Sequence, residues 1–132
     1  MGHDKLTLSL LPGEYAVCKL EPERDIPEWI TYNTFWSVTK TQDEMSIVCP
    51  QNQVPKDVKA ESEWRILEVE GPLDFSMTGV VNCLTKPLTD SKISVFILST
   101  YLTDYLLIRS KDIKTAIEVL RAQGHKIDHE IY

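Results

Sequence analysis

Hydrophobic positions along this chain change period several times, and each change marks an element. Leu6, Leu8 and Leu10 alternate with Thr7 and Ser9, a period of two that predicts a half-buried strand. Pro12-Gly13 turns the chain, and Glu14 to Leu20 reads as a second strand. Residues 22–27, bounded by prolines, break the pattern, and Pro27-Glu28-Trp29-Ile30 reads as a short helical turn with proline at its start. Phe35 to Thr39 and Met45 to Cys49 are β-rich runs joined by a polar connection, which predicts a hairpin. The charged stretch 55–63 is expected to be a helix.

After a strand at 64–70, the period lengthens. Met77, Val80, Val81, Leu84 and Leu88 fall on one helical stripe, with Asp74 or Ser76 as the expected cap and Pro87 as a site of loosening. Ile93 to Ser99 and Asp104 to Arg109 predict a second hairpin. Ser110 is then the expected cap of a second helix, with Ile113, Ala116, Ile117 and Leu120 facing the core and Gly124 ending it. Lys126 to Tyr132 alternates as a last strand. The order in this half is therefore β-α-β-β-α-β.

A repeat underlies the two halves. Shifted by 49, Tyr15 to Glu21 lies over Trp64 to Glu70; shifted by 60, Ser37 to Cys49 lies over Ile97 to Arg109. The offsets differ by 11 residues, so the first copy lacks about three turns of its first helix. The expected fold is α+β, tandem ferredoxin-like βαββαβ modules at 1–63 and 64–132, with antiparallel sheets and helices on one face. The strand near residues 5–11 is open to two places, completing the shortened copy or pairing across to its neighbour.

Composition excludes more than it assigns. With 132 residues and 42% apolar content, the chain suits one compact domain or two very small ones. A net charge of −6 argues against a nucleic-acid surface and against attraction to anionic lipid. No apolar run exceeds the length of Val95-Phe96-Ile97-Leu98, far short of the roughly 20 residues that span a bilayer, and no secretory leader is visible. A cytoplasmic protein is expected. Cys18, Cys49 and Cys83 are widely spaced among apolar neighbours and read as buried free thiols. His3, His125 and His129 read as solvated positions near the ends. No metal and no cofactor is expected, and Ser76, His125 and Asp128 lack the local sequence of a nucleophilic triad. The expectation is a protein that is not an enzyme.

The chemistry concentrates where the strand at 64–70 gives way to the helix. A helix start leaves about four amides without intrahelical partners, a ready place for a carboxylate. Asp74 supplies a counter-charge for an ammonium or guanidinium, Ser76 and Thr78 supply hydroxyls, and Gly79 removes a side chain from the approach. A bland alternative stands beside this: Asp74 or Ser76 as a simple cap, Gly79 as a packing contact. An anion alone is repelled by Asp74, which favours a ligand carrying both signs. Leu73, Phe75 and Val80 complete this segment. Ser94, Ser99, Thr100 and Asp104, with Phe96 and Tyr105, belong to the hairpin expected beside it.

The tract Glu70-Gly71-Pro72-Leu73-Asp74-Phe75-Ser76-Met77-Thr78-Gly79-Val80, followed by Ile93-Ser94-Val95-Phe96 and Ser99-Thr100-Tyr101, resembles small bacterial ACT-domain proteins. Phe35 to Thr39 and Ser46 to Pro50 resemble the first half of the same family. The resemblance implies tandem ACT-like modules, as in the regulatory parts of aspartate kinases and in cytosolic arginine sensors. It further implies an amino acid or similar zwitterion bound at the first strand–helix loop, where modules or subunits meet, in a regulatory homodimer. A ligand-free dimerisation or protein-interaction module is the alternative.

Overall fold

The computed structural model describes residues 5–30, 34–70 and 79–128. Among these residues eight strands and two α-helices follow in order: β1 Thr7–Leu10, β2 Tyr15–Leu20, β3 Ser37–Lys40, β4 Met45–Pro50, β5 Lys59–Val69, α1 Val80–Asp90, β6 Val95–Ser99, β7 Asp104–Arg109, α2 Ile113–Ala122 and β8 Lys126–Asp128. The fold is mixed α+β of ferredoxin-like type. Two compact units emerge, one spanning residues 13–64, the other running from 65 onward and taking in the strand before Pro12.

In the first unit β2 lies between β4 and the leading half of β5, both antiparallel to it, and β3 pairs with β4. The β3–β4 turn is closed by Thr41, whose Oγ1 accepts the amide hydrogens of Asp43 and Glu44 at 3.1 and 3.2 Å. Alternating residues Ala16, Cys18, Leu20, Ile47 and Cys49 form its core with Met45 and Ile30. The helix expected at 55–63 is absent. Residues 59–64 are strand, with Lys59 opposite Lys19 and Ala60 opposite Cys18. Lys, Ala and Glu favour helices in isolation, but pairing with the β2 backbone outweighs that preference of a few tenths of a kcal/mol per residue. No α-helix occurs in this unit among the described residues; its nearest equivalent is a 3-10 turn at Gln51–Gln53.

Between Tyr15 and Val17 the register slips: two steps along β2 face three steps from Trp64 back to Glu61. The additional residue makes a bulge, with Glu63 in the left-handed region at φ 69°. The Glu63 amide freed by the bulge donates to Gln51 Oε1 at 2.7 Å.

The second unit carries the β-α-β-β-α-β order from β5 to β8. Leu67 and Val69, Leu106 and Ile108, and Leu8 and Leu10 each recur every second residue, so each pair presents one face of its strand. Onto that face pack Leu84 and Leu88 of α1 and Ala116, Ile117 and Leu120 of α2. Of the two places open to the N-terminal strand, it takes the one in this unit. β1 lies between β5 and β8, antiparallel to the first (Leu8 opposite Val69) and parallel to the second (Leu8 opposite Ile127). It thereby separates the first and last strands of the module. Single-strand periodicity carries no information about which partner a strand takes.

Both helices end in the same device. Gly124 (φ 94°) donates to the Arg121 carbonyl at 2.9 Å and His125 to the Leu120 carbonyl at 3.2 Å, a Schellman motif that closes α2. After α1, Lys92 donates to Thr89 and Ile93 to Leu88, both at 2.9 Å, so Lys92 takes the left-handed position (φ 64°) where glycine is usual. Ser110 begins a 3-10 turn rather than capping α2, whose N-cap is Asp112. The helix α1 continues through Pro87 to Asp90.

Candidate functional site

β5 delivers the chain to the candidate junction with its last groups already committed. The Glu70 amide donates to the Thr7 carbonyl at 2.8 Å. Leu73, Asp74, Phe75, Ser76 and Thr78, with Met77, lie outside the described residues. The description resumes at Gly79, the N-cap of α1, with φ 78° and ψ 5°. This corrects two expectations. The cap position belongs to Gly79 and not to Asp74 or Ser76, and Gly79 precedes the first helical turn instead of lying within it. Its lack of a side chain serves the left-handed backbone, which costs other residues roughly 1 kcal/mol or more. Its carbonyl accepts the Cys83 amide at 2.8 Å, while glycine offers no side-chain cap to the amides of the first turn.

The buried stripe is narrower than expected. Leu84 and Leu88 are fully buried and Val80 packs against the core, but Val81 is exposed to 38%. Thr85 satisfies its hydroxyl locally, donating to the Val81 carbonyl at 2.9 Å.

At the same end of β5 stands the tip of the β6–β7 hairpin. Ser99 and Asp104 are directly opposite in the ladder, and Ser99 Oγ donates to Asp104 Oδ1 at 2.5 Å. Thr100 and Thr103 close the turn: the Thr100 amide donates to the Thr103 carbonyl at 2.8 Å, and Thr100 Oγ1 accepts the Thr103 amide at 3.3 Å. Thr103 Oγ1 in turn donates to the Val69 carbonyl at 2.6 Å, a buried bond joining the hairpin tip to the end of β5. The hairpin tip therefore stands within one hydrogen bond of the strand that leads into residues 71–78.

Ser94 does not join this group. It is exposed and precedes β6, at the opposite end of that strand from Thr100. At about 3.3 Å per residue that is on the order of 20 Å away. Phe96 is half-buried rather than part of the core cluster. Tyr105 hydrogen-bonds Glu68 across the strands; burial, then the Glu68 charge, pushes its phenol above the usual range. Thr103 is the residue that sequence reasoning overlooked as a site member, because a threonine in a polar turn looks like turn chemistry. In the structure it is 5% exposed, between Leu102 at 59% and the half-buried Asp104, a burial that residue type does not signal.

His125 is a further correction. Far from being solvated, it is 6% exposed, and its Nδ1 accepts the Leu6 amide at 3.1 Å. Burial first, and the Lys5 ammonium second, hold its pKa below the usual imidazole value. An acceptor Nδ1 puts the ring proton on Nε2. Cys18 and Cys49 are buried and hydrogen-bonded to each other, which together with burial pushes the Cys49 thiol far up; Cys83 is half-buried. Among the described residues no group of three or more His, Cys, Asp or Glu could hold a metal ion, and no helix is long and apolar enough to cross a membrane.

A β-α-β-β-α-β module with both helices on one face defines a ferredoxin-like domain. The ACT-domain family model matches residues 59–122, and a second model, describing an N-terminal domain, matches residues 13–57. The crystal structure of protein Atu0741 from Agrobacterium tumefaciens superposes with a TM-score of 0.92 at 34% identity, covering 98% of this chain and 97% of that one. The bovine cytosolic arginine sensor for mTORC1 subunit 1 is 28% identical over 97 residues, 65% of this chain and 30% of that protein. This chain thus spans less than a third of that relative's length. The ligand-free regulatory subunit of Thermus thermophilus aspartate kinase shares the fold, with a TM-score of 0.56 at 10% identity over 87% of this chain and 95% of that one. Residues 59–122 of the chain belong to the ACT-domain family.

Proposed function

We propose that this protein is a regulatory binder of an amino acid or a similar zwitterion. The ligand sits at the junction formed by Leu73, Asp74, Phe75, Ser76, Thr78, Gly79 and Val80, with Ser99, Thr100 and Asp104 beside it. The observation that carries the reading is the Thr103–Val69 bond, which anchors the hairpin hydroxyls and the Asp104 carboxylate at the strand end entering this segment. A ligand carboxylate meets the first amides of α1, whose N-cap supplies no side-chain partner. Its ammonium meets Asp74, and Asp104 offers a second carboxylate. The family membership and the arginine sensor among the relatives support this ligand class.

Binding that favours one packing of modules or subunits would make the protein a cytoplasmic sensor, functioning as a homodimer without chemistry of its own. Thermal shift against a panel of amino acids and nucleotides tests it: an amino acid raises the midpoint by mass action, and Asp74→Ala removes the rise. A second reading draws on Tyr101 and Leu102, 81% and 59% exposed at the hairpin tip. A ligand-free pairing module would use such residues against a protein partner. Silence across the whole panel favours that reading.

A further inference from the structure

The second unit holds a cavity of about 170 Å³ lined by Lys5, Asn82, Cys83, Lys86, Gln123 and His125, with Pro87 at its wall. Two features make it a built site and not a chance gap between side chains. His125 is nearly fully buried, and the Leu6 amide occupies its Nδ1, so the ring carries its hydrogen on Nε2. The stem of Lys5 lies across Gly124: a methyl group there would come within 3.0 Å of Lys5 Cε and 3.5 Å of Nζ. Gly124 therefore has two duties, its left-handed backbone and room for this lysine.

The lining has one electrostatic character. Lys5 and Lys86 bring ammonium groups, His125 a ring N–H, and Asn82 and Gln123 amides that donate when turned inward. Among the described residues no carboxylate lines the cavity. The Lys5 charge acts on the groups beside it, favouring the neutral ring of His125 and the thiolate of Cys83, although burial dominates both. Asp90 is the acid within reach: it pairs with Lys86 at 3.0 Å, with both side chains about two-thirds exposed. A pair so exposed contributes little and exchanges readily for a better-placed anion.

We propose that this cavity is a second ligand site, which takes the phosphate group of a small phosphorylated molecule. Two ammonium groups and a ring N–H suit a dianion with several acceptor oxygens better than a single carboxylate. The volume fits a group rather than a whole cofactor. A groove of about 440 Å³ along α1 and α2 adjoins it through Lys86, Pro87 and Gln123; Asp90 and Ser91 also line it, and its further wall of Val119 and Ala122 suits the less polar remainder of such a molecule. Lys5 and the Leu6 amide both belong to the segment entering β1. An occupant would therefore touch the pairing of β1 with β8.

The test is a proton NMR titration of the full chain with inorganic phosphate, and with acetate at matched ionic strength, following the His125 ring signal. Saturable binding in the millimolar range is expected for phosphate, weaker by about ten-fold for acetate. Lys5→Met and Lys86→Met should each weaken phosphate binding by about ten-fold; both lysines are exposed, so the fold is kept. A response that never saturates, that is unchanged in both variants, or that acetate matches, overturns the assignment. Among the described residues the lining shares no member with those named for the zwitterion, so its failure leaves that reading untouched.

Discussion

Thr103 Oγ1 donates to the Val69 carbonyl at 2.6 Å, across 34 residues of sequence and inside the buried region. One hydroxyl thus ties a hairpin tip to the strand that enters the candidate ligand segment. Thr103→Val keeps the shape and removes the donor, leaving a buried carbonyl without that partner. A loss of about 1–3 kcal/mol is expected in urea unfolding, with Thr103→Ser close to the parent. Equal stability of the valine and serine variants would show that the hydroxyl holds nothing.

Lys92 occupies the left-handed position that ends α1, where a side chain is a burden. Lys92→Gly should raise stability by roughly 1 kcal/mol, because relief of the strained backbone outweighs the added freedom of the unfolded chain. Glycine at Lys114, on the exposed face of α2, should instead cost about 1 kcal/mol and serves as the control. Thermal midpoints of the two variants check the sign.

His125 makes stability depend on pH. Its folded pKa lies below the unfolded value of about 6.5, so between these two values the unfolded chain binds a proton that the folded chain does not. Stability therefore falls as pH drops through about 6.5 and stops falling below the folded pKa. His125→Gln, compared with the parent by urea unfolding at pH 7.5 and 5.0, should show a smaller loss across that interval. An equal loss in both proteins would assign the dependence to other groups.

Much of this architecture was legible from hydrophobic period alone. The β3–β4 and β6–β7 hairpins, the inward faces of both helices and the turn at Gly124 all express local rules that need no knowledge of partners. Three features were not legible, and each depends on contacts distant in sequence. Residues 59–64 look helical until β2 supplies a backbone to pair with. β1 could have joined either copy, and its place between β5 and β8 follows from long-range pairing. His125 sits among polar end residues in the sequence, yet the Leu6 amide, 119 positions earlier, holds it inside. The site divides the same way. Ser99, Thr100 and Asp104 meet because hairpin geometry is local, whereas Ser94 shares their composition but lies at the wrong end of its strand.

The central claim is that residues 71–80 and the hairpin tip bind a zwitterion. Isothermal titration with the amino acid that gives the greatest thermal shift tests this most directly, using the parent, Asp74→Ala and Asp104→Ala. The account predicts saturable binding to the parent, loss of at least about ten-fold in affinity for Asp74→Ala, and a smaller loss for Asp104→Ala, each variant retaining its fold. Undiminished binding to Asp74→Ala, or no binding of any amino acid to the parent, would contradict it.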